Sequence, residues 1–466
     1  MENNKILNIK EHIKGTEFEG KVYIAGGYVR DELMGLNLNE GIKDIDLMID
    51  MYNGGIIFAE WFCKKLNIYR HKYNPVIYPR FGTAKFNFNS YLDPINIECV
   101  MPRKEKYIDG SRKPDVINGT LYDDVRRRDF TINSLLKNIS TGEILDLTGM
   151  GINDIKNGIV RTPLDPDIIF SEDPLRMLRA IRFAVKYSWK LPMFMIKSIK
   201  KNSKKINEIS KERISDELNK MLITDNPDVA IRLLQITSLS KYIFPQLDKL
   251  IGLKQNKFHD FDAMKHTLLV LKRTPKDLIT RLAALFHDIG KYKTKTEVDG
   301  NVHFYNHESL GAEIAKDILK HLKYSNEIIS GVFILINNHM RTKPFSDDTK
   351  VSDKVLRKLC LDLGIFLNQT LDLIHADNLS HNKNYEMINQ IPTIKDRIKN
   401  LKEIPISQHI KLPINGDDIM EHFSIKPGPI IKQLLLSVED KWLENPDLTR
   451  EESLEIIEKK YSDLIK

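Results

Sequence analysis

Cysteine is scarce. The 466 residues hold three, Cys63, Cys99 and Cys360. An odd number, widely spaced, excludes a disulfide framework and a cysteine metal site, and fits a reducing compartment. Long apolar runs are missing as well: none approaches the ~20 residues that a membrane span requires, so no membrane partner is expected. The opening stretch MENNKILNIKEHIK is polar and charged and does not read as a secretory signal, so a cytoplasmic location is expected. No internal repeat is visible. The excess of one charge sign is small, 71 Lys and Arg against 64 Asp and Glu, for +7 and a pI near 8.9. That balance is compatible with nucleic acid without demonstrating it. Hydrophobic content of 41% and charged content of 29% describe a globular chain, long enough for about three domains.

What is present concentrates between Val22 and Ile49, VYIAGGYVRD followed by KDIDLMID. Val22–Ala25 reads as a buried strand closed by Gly26 and Gly27. Two residues without side chains let phosphates approach backbone N–H groups. Tyr28 to Met34 reads as a helix opening at that turn, where anions are favoured, with Arg30 able to fork onto phosphate oxygens. Asp44 and Asp46 lie two apart on a second strand, so alternation puts both carboxylates on one face and Ile45, Leu47 and Ile49 on the other. Such a pair repels itself unless a cation lies between. A phosphate cradle followed by hard-metal carboxylates is what Mg²⁺-dependent phosphoryl transfer needs.

Further along, a helix is expected near Gly55–Leu66 and strands at Thr83–Asn87 and Ile95–Val100. Glu98 reads either as a third metal carboxylate or as an ordinary edge-strand residue. RKEKYIDGSRKPDV, broken by Gly110 and Pro114, reads as a mobile basic loop. From about residue 165 the periodicity is helical. Asp173 and Pro174 suit N-cap and N1 positions. Leu175, Leu178, Ile181 and Val185 form an apolar face. Arg176, Arg179 and Arg182 form a basic stripe, either solvated or facing an anionic partner. Lys197 to Lys205 is a second basic run, solvated or phosphate-contacting. Among only 13 histidines, His266, His287, His307 and His339 fall at helix ends, joined by Asp288 and by Asp377 within a helix. Imidazoles and carboxylates from facing helices are how a bundle builds a transition-metal site.

The combination GGxVRD…DxD resembles the class II nucleotidyltransferase family of CCA-adding tRNA nucleotidyltransferases and bacterial poly(A) polymerases. Four further stretches match that family in order. Arg103, Glu105, Tyr107, Ser111, Arg112 and Pro114 match its basic loop. RRDFTIN, ending its arginines at Arg128, matches the second motif. Asp146, Gly149, Gly151, Asp154 and Arg161 match the third, and Glu172, Asp173, Arg176, Arg179 and Arg182 match EDxxR and its following arginines. KERISDELNKML, with Glu212, Arg213 and Glu217, resembles a fifth, structural motif. The histidine–aspartate set resembles the H…HD…H…H…D pattern of HD-type metal phosphohydrolases, which form a C-terminal domain in some bacterial CCA-adding enzymes.

The resemblance implies an α+β chain: a polymerase-β-like head with a mixed sheet and helices at 20–150, then an all-α neck at 165–235, an HD domain at 257–380 and a helical tail at 381–466. It implies template-independent addition of C and A from CTP and ATP to the tRNA 3′ end. Asp44 and Asp46 would be the catalytic, Mg²⁺-binding carboxylates. Gly27, Arg30 and Arg128 would cradle the nucleotide, with Asp173 and Arg176 reading the base and Arg179 and Arg182 nearby. His266, His287, Asp288, His307, His339 and Asp377 would hold Ni, Mn, Fe or Zn in a phosphohydrolase site. Within the same class, a poly(A) polymerase or an A-only or CC-only enzyme is the alternative. Of another class are a phosphohydrolase whose head only docks RNA, acting on nucleotides or RNA ends, and an inactive RNA-binding protein. Oligomeric state is not legible.

Overall fold

Short apolar runs closed by glycine become the central strands. The computed structural model describes residues 4–36, 44–66, 74–90, 93–106, 115–256, 258–343, 351–401 and 412–465. These divide into two compact units, Met1–Ile243 and Phe244–Lys466.

The first unit opens with α1 (Asn4–Ile13), β1 (Val22–Ala25), α2 (Gly27–Leu33), β2 (Asp44–Ile49) and α3 (Gly54–Lys65). It continues through β3 (Val76–Tyr78), β4 (Thr83–Ser90), β5 (Asp93–Val100), β6 (Arg103–Lys106), β7 (Asp115–Asn118), α4 (Leu121–Arg126), β8 (Leu136–Asn138) and β9 (Ile144–Leu145). Seven strands make one mixed sheet in the order β3-β4-β5-β2-β1-β8-β9. The β2–β5 pairing is parallel, and the other pairs in this sheet are antiparallel. α3 lies close on the sheet: a Cβ at Gly55 would sit 2.5 Å from the carbonyl oxygens of Cys99 and Gly82. Phe58 and Phe62, stacked at 5.5 Å, fill the space beneath that helix.

Helices complete the unit: α5 (Gly151–Asn157), α6 (Pro166–Glu172), α7 (Leu175–Tyr187), α8 (Met193–Asn202), α9 (Lys211–Leu222), α10 (Pro227–Ile236) and α11 (Ser240–Ile243). The apolar face read for α7 is buried, with Leu175, Leu178, Ile181 and Val185 all in the core.

The second unit is helical apart from one hairpin. α12 (Ala263–Arg273), α13 (Leu278–Phe286) and α14 (Lys291–Thr294) precede β10 (Lys295–Val298) and β11 (Asn301–Phe304). Then come α15 (His307–His321), α16 (Asn326–Asn338), α17 (Asp353–Leu363), α18 (Leu367–Asn378) and α19 (Gln390–Lys399). The last three helices, α20 (Gly416–Phe423), α21 (Pro429–Glu444) and α22 (Arg450–Ile465), share a small core around Ile419, Leu434, Val438 and Ile457. No described helix is long and apolar enough to cross a membrane.

Three local readings change. Asp173 is not the residue immediately before α7; it sits extended between α6 and α7, and its Oδ1 still accepts from the Leu175 N–H at 3.1 Å. Proline at 174 supplies helical φ, which shifts the assigned start by one. The stretch read as a basic loop begins in β6 and ends in β7, which pair antiparallel from Arg103↔Asn118 to Lys106↔Asp115. Tyr107, Ser111, Arg112 and Pro114 lie outside the described residues. Glu98 is on no edge, because β5 lies between β4 and β2.

Buried charge pairs tie α4 to the segment that follows it. Asp124 is fully buried, and both Arg127 Nε and Arg128 Nε donate to it at 3.0 Å. Burial alone would raise this carboxyl, but the Arg128 and Arg127 guanidiniums outweigh it and hold the group below the usual carboxylate range. Its stabilising contribution is therefore present above the unfolded pKa of about 3.9 and disappears as pH falls through the lower folded value. Asp124→Ala is expected to cost on the order of 3–5 kcal/mol, since it strands two guanidiniums. Denaturant unfolding at neutral pH checks this: a loss below about 1 kcal/mol would show that the arginines find other partners.

Candidate active site and metal centre

The parallel register of β2 against β5 sets Asp44 opposite Asn96 and Asp46 opposite Glu98. Side chains two apart on paired strands share a face, so Asp44, Asp46 and Glu98 crowd together along one wall of a cavity of about 440 Å³. Asn96 Nδ2 donates to Asp44 Oδ1 at 2.9 Å. Lys85, from the neighbouring β4, pairs with Glu98 at 2.9 Å. The Asp46 carboxyl is pushed up, first by desolvation and then by Glu98, with Arg128 opposing. A carboxylate held reluctantly charged beside two others is a site that gains by taking a cation.

The glycine turn faces the same space. Gly26 has φ +74° and ψ −128°, a region open to glycine, and a Cβ there would meet Arg128 Nη1 at 3.4 Å and Asp46 Oδ2 at 3.9 Å. Arg128 therefore stands beside the carboxylates, held by Asp124 and by the Asn133 carbonyl at 3.1 Å. Gly27 begins α2 directly behind it. Arg30 is differently placed. Its guanidinium is buried, donates to Asn133 Oδ1 at 2.6 Å and to Asp31 Oδ1 at 2.8 Å, and lies over the rings of Phe183 and Tyr187. It braces the turn, with Nη2 3.3 Å from where a Cβ on Gly27 would sit.

The arginine stripe of α7 finds acidic partners within the unit. Arg176 reaches Glu172 at 3.2 Å and the Arg127 carbonyl at 2.9 Å. Arg179 Nε donates to Asp129 Oδ2 at 2.8 Å, and Arg182 Nε to Glu217 Oε2 at 2.6 Å. Asp173 Oδ2 accepts from Arg213 Nη2 of α9 at 3.2 Å. The Asp173 and Arg176 side chains have separate partners and are joined through the Arg176 N–H, which donates to the Asp173 carbonyl at 3.0 Å, while Arg179 and Arg182 fasten α7 to the segment after α4 and to α9. In the lysine run, Lys201 pairs with Asp167 at 2.5 Å, and Lys197, Lys200 and Lys204 are exposed.

In the second unit six side chains converge, from α12, α15 and α18 and from the residues just past the ends of α13 and α16. Two sets of ligand atoms each lie within 4.8 Å of one another: His266, His287 and Asp377, and Asp288, His307 and His339. His266 Nε2 is 2.9 Å from Asp377 Oδ1, and His307 Nε2 is 3.4 Å from Asp288 Oδ1 and 3.3 Å from His339 Nε2. Each imidazole turns its other nitrogen outward to a backbone carbonyl. Nδ1 of His287, His307 and His339 meets the oxygens of Ala284, Phe304 and Ile336 at 2.9, 2.8 and 2.7 Å, and Nδ1 of His266 meets Ser380 O at 3.2 Å. A carbonyl can only accept, so Nδ1 of His287, His307 and His339 donates there and Nε2 is turned inward, while His266 has an acceptor beside each nitrogen, Ser380 O and Asp377 Oδ1. The His287 Nε2 is buried without a hydrogen-bond partner. Burial, then His307 and His287, push the His339 imidazole down to about 3, leaving it neutral and ligand-ready at pH 7. The donor set, imidazole and carboxylate, fits a transition metal.

Sequence reasoning passed over several residues here. Lys291, three after Asp288, donates to its Oδ2 at 2.8 Å; the i,i+3 spacing in HDIGK was the available signal. Lys343 reaches Asp377 Oδ2 at 2.7 Å, and His259 and His381 pack on His266 with centroids at 4.5 and 5.9 Å. Their positions, like those of Lys85 and Asn96, follow only from chain packing.

Residues 22–161 match the family model of the Poly A polymerase head domain. Residues 195–251 match a model for an RNA and SrmB binding site of polymerase A, and 295–455 a model for domain 2 of tRNA nucleotidyltransferases. The chain is 33% identical over 263 residues to the mitochondrial CCA tRNA nucleotidyltransferase of Saccharomyces cerevisiae, a match that spans 52% of this chain and 46% of the yeast protein. It is 28% identical over 439 residues to the CCA-adding enzyme of Ligilactobacillus salivarius, covering 93% of this chain and 91% of that one. Among solved structures, the Bacillus stearothermophilus CCA-adding enzyme in complex with CTP superposes with a TM-score of 0.66 at 19% identity, covering 99% of this chain and 98% of the other. That likeness shows a shared fold.

The turn beside Asp46 is directly testable. Gly26→Ala is expected to cost about 1–3 kcal/mol through backbone strain, read from the denaturant midpoint. An unchanged midpoint would mean that the turn does not need glycine.

Proposed function

We propose that this chain, a member of the family of CCA-adding tRNA nucleotidyltransferases and poly(A) polymerases, adds C and A from CTP and ATP to the 3′ hydroxyl of tRNA. The observation that carries this reading is the register that sets Asp44, Asp46 and Glu98 side by side beneath the glycine turn. The mitochondrial yeast relative bears the CCA activity in its name, and the Bacillus structure holds CTP.

Asp44 and Asp46 are the residues that would hold Mg²⁺; when bound, the ions supply positive charge to the triphosphate and make the attacking hydroxyl more acidic. The Gly26 N–H is taken by the Leu135 carbonyl at 3.2 Å, so Gly27, at the start of α2, is the glycine that would meet phosphate oxygens, and Arg128 adds a guanidinium anchored by Asp124. Arg30 supports the turn from behind. Asp173 accepts from an exocyclic amine, and Arg176 donates to a ring acceptor, a pattern shared by cytosine and adenine. Arg213 orients the Asp173 carboxylate. The exposed lysines of α8, within the segment matched to an RNA-binding model, suit the RNA backbone.

In the second unit the two ligand triads would hold two transition-metal ions, drawn from Ni, Mn, Fe or Zn. When bound, these supply Lewis acidity for hydrolysis of a phosphate ester. The chain's own contribution there is to aim four imidazoles at one place, with Lys291 and Lys343 beside the two carboxylates.

Incubation with labelled CTP and ATP and a tRNA without its CCA end separates CCA addition from A-only, CC-only and poly(A) activity. Asp44→Ala and Asp46→Ala are each expected to abolish incorporation while RNA affinity stays within about twofold, because the carboxylates repel rather than attract the phosphate backbone. More than a few per cent of residual activity with Mg²⁺ sinks the assignment.

Elemental analysis of the purified full chain is expected to find about two transition-metal ions, and the double variant His287→Ala, Asp288→Ala to lose both. Phosphatase activity should vanish with them while nucleotide addition persists. A metal-free protein after expression in supplemented medium would leave the cluster without a catalytic role.

A further inference from the structure

The cavity of about 440 Å³ beside the carboxylates of the first unit extends to one side of them. In the sheet, β2 lies between β5 and β1, and the glycine turn follows β1. The cavity runs away from that turn, over β5 and β4 to Val76 on β3. Two rows of side chains cross its floor. Asp46, Glu98, Lys85 and Val76 stand opposite one another on successive strands, and so do Asp44, Asn96 and Asn87. Neighbouring strands lie about 4.8 Å apart, so Asn96 is the immediate neighbour of Asp44 and Asn87 comes one strand later. Both asparagines are exposed and line the cavity. The first row is ionic beyond Asp46, with Glu98 engaged by Lys85 at 2.9 Å. The second row is neutral beyond Asp44. Asn96 Nδ2 donates to Asp44 Oδ1 at 2.9 Å. A carboxylate oxygen accepts here, so this bond fixes the sense of the amide and leaves the Asn96 carbonyl oxygen as an acceptor on its other branch. Such an acceptor suits a hydroxyl, which can donate, and repels a phosphate oxygen, which cannot.

We propose that this cavity receives the terminal ribose of the RNA acceptor, and that Asn96, with Asn87 beside it, selects RNA over DNA by hydrogen bonding to the 2′ hydroxyl. The inference rests on the nucleotidyltransferase reading above and adds to it the residues that choose the acceptor. In-line displacement at the α-phosphorus sets the attacking hydroxyl opposite the leaving pyrophosphate. With the phosphates at Gly27 and Arg128, on the β1 side of Asp46, attack comes from the β5 side, where the cavity lies. The acceptor's 3′ oxygen bonds to the α-phosphorus, the bond from that phosphorus to the pyrophosphate oxygen breaks, and the hydroxyl proton is released to water. A 3′ oxygen placed at Asp44 and Asp46 brings the 2′ hydroxyl, on the adjacent carbon, to the next position in the neutral row. Its O–H donates to the Asn96 carbonyl, and its oxygen accepts from the Asn87 amide. The 2′ hydroxyl is the group by which a protein distinguishes the two nucleic acids at a given site.

Two acceptor-stem RNA hairpins without a CCA end test this, identical except that one ends in a 2′-deoxynucleotide. Addition of labelled CTP by the full chain is measured on each with Mg²⁺, and affinity for each is measured separately by fluorescence anisotropy without nucleotide. The ribose-ended hairpin is expected to show a kcat/KM at least about tenfold higher, the effect of one or two lost hydrogen bonds, and to bind more tightly. Asn87→Ala is expected to bring that ratio within about threefold while the KM for CTP moves less than about twofold. Asn96→Ala should remove the preference as well and lower kcat on both hairpins, because Asp44 loses its donor. Asn96→Ser, which retains an acceptor, should restore part of the preference. A 2′-deoxy end also alters the acidity of the 3′ hydroxyl; the variants share that effect, so the change in ratio reports the contact. Equal use of both hairpins by the unaltered chain overturns the inference, as does a preference that survives both alanine variants, or a defect confined to the KM for CTP. A chain that adds nucleotide to neither hairpin removes the nucleotidyltransferase reading, and the binding ratio in the same variants then decides the ribose subsite.

Discussion

A carboxylate taken out of water must be matched by a cation or a donor, and that requirement shapes both units. In the first, Asp124, Asp129 and Glu217 are buried, and they claim Arg127 and Arg128, Arg179, and Arg182 respectively. These pairs fasten the segment after α4 to α7 and α7 to α9. The basic stripe that looks like a nucleic-acid surface in the linear sequence is therefore largely engaged in holding helices together. What remains open to a ligand is the smaller group on which no buried acid makes a full claim. Arg128 is shared between its carboxylate and the space beside Asp46. Asp173 is 30% exposed and tethered by one guanidinium.

At the carboxylate face the same requirement is left partly unmet. Three acidic groups share one wall with Lys85 as their near cation, and Asp46 is pushed up as a result. The repulsion is imposed by β2 and β5 pairing in parallel, since an antiparallel or shifted register would move Glu98 away from Asp46.

The histidine–aspartate cluster reaches its geometry by another route. Its ligands come mainly from helix ends, where carbonyl groups have no intrahelical partner. Carbonyls in the last turns of α13 and α16 meet Nδ1 of His287 and His339, the Phe304 carbonyl at the end of β11 meets that of His307, and so the Nε2 atoms are aimed inward. A helix terminus thus supplies the ligand and sets its tautomer. The β10–β11 hairpin, inserted between Asp288 and His307, adds aromatic rings to a pocket whose floor the helices had already made.

Much of this was legible along the chain, because it depends on short-range rules. Strand alternation put Asp44 and Asp46 on one face, and the glycine pair announced a turn. Helical periodicity marked the buried side of α7, and histidines at helix ends announced a cluster. Each depends on the period of one element or on the conformational range of one residue. The chain alone left open what Glu98 faces, whether the arginines of α7 are free, how the histidine and aspartate side chains of the second unit divide into two triads, and which rings stand at the mouth of the pocket. Those are matters of pairing between segments tens to more than a hundred residues apart. Arg30 meeting Asn133 across 103 positions, and His266 meeting Asp377 across 111, are encounters that no local period encodes. Burial then decides the rest: once a charge is enclosed its partner is fixed by proximity, and only the folded chain determines which charges are enclosed.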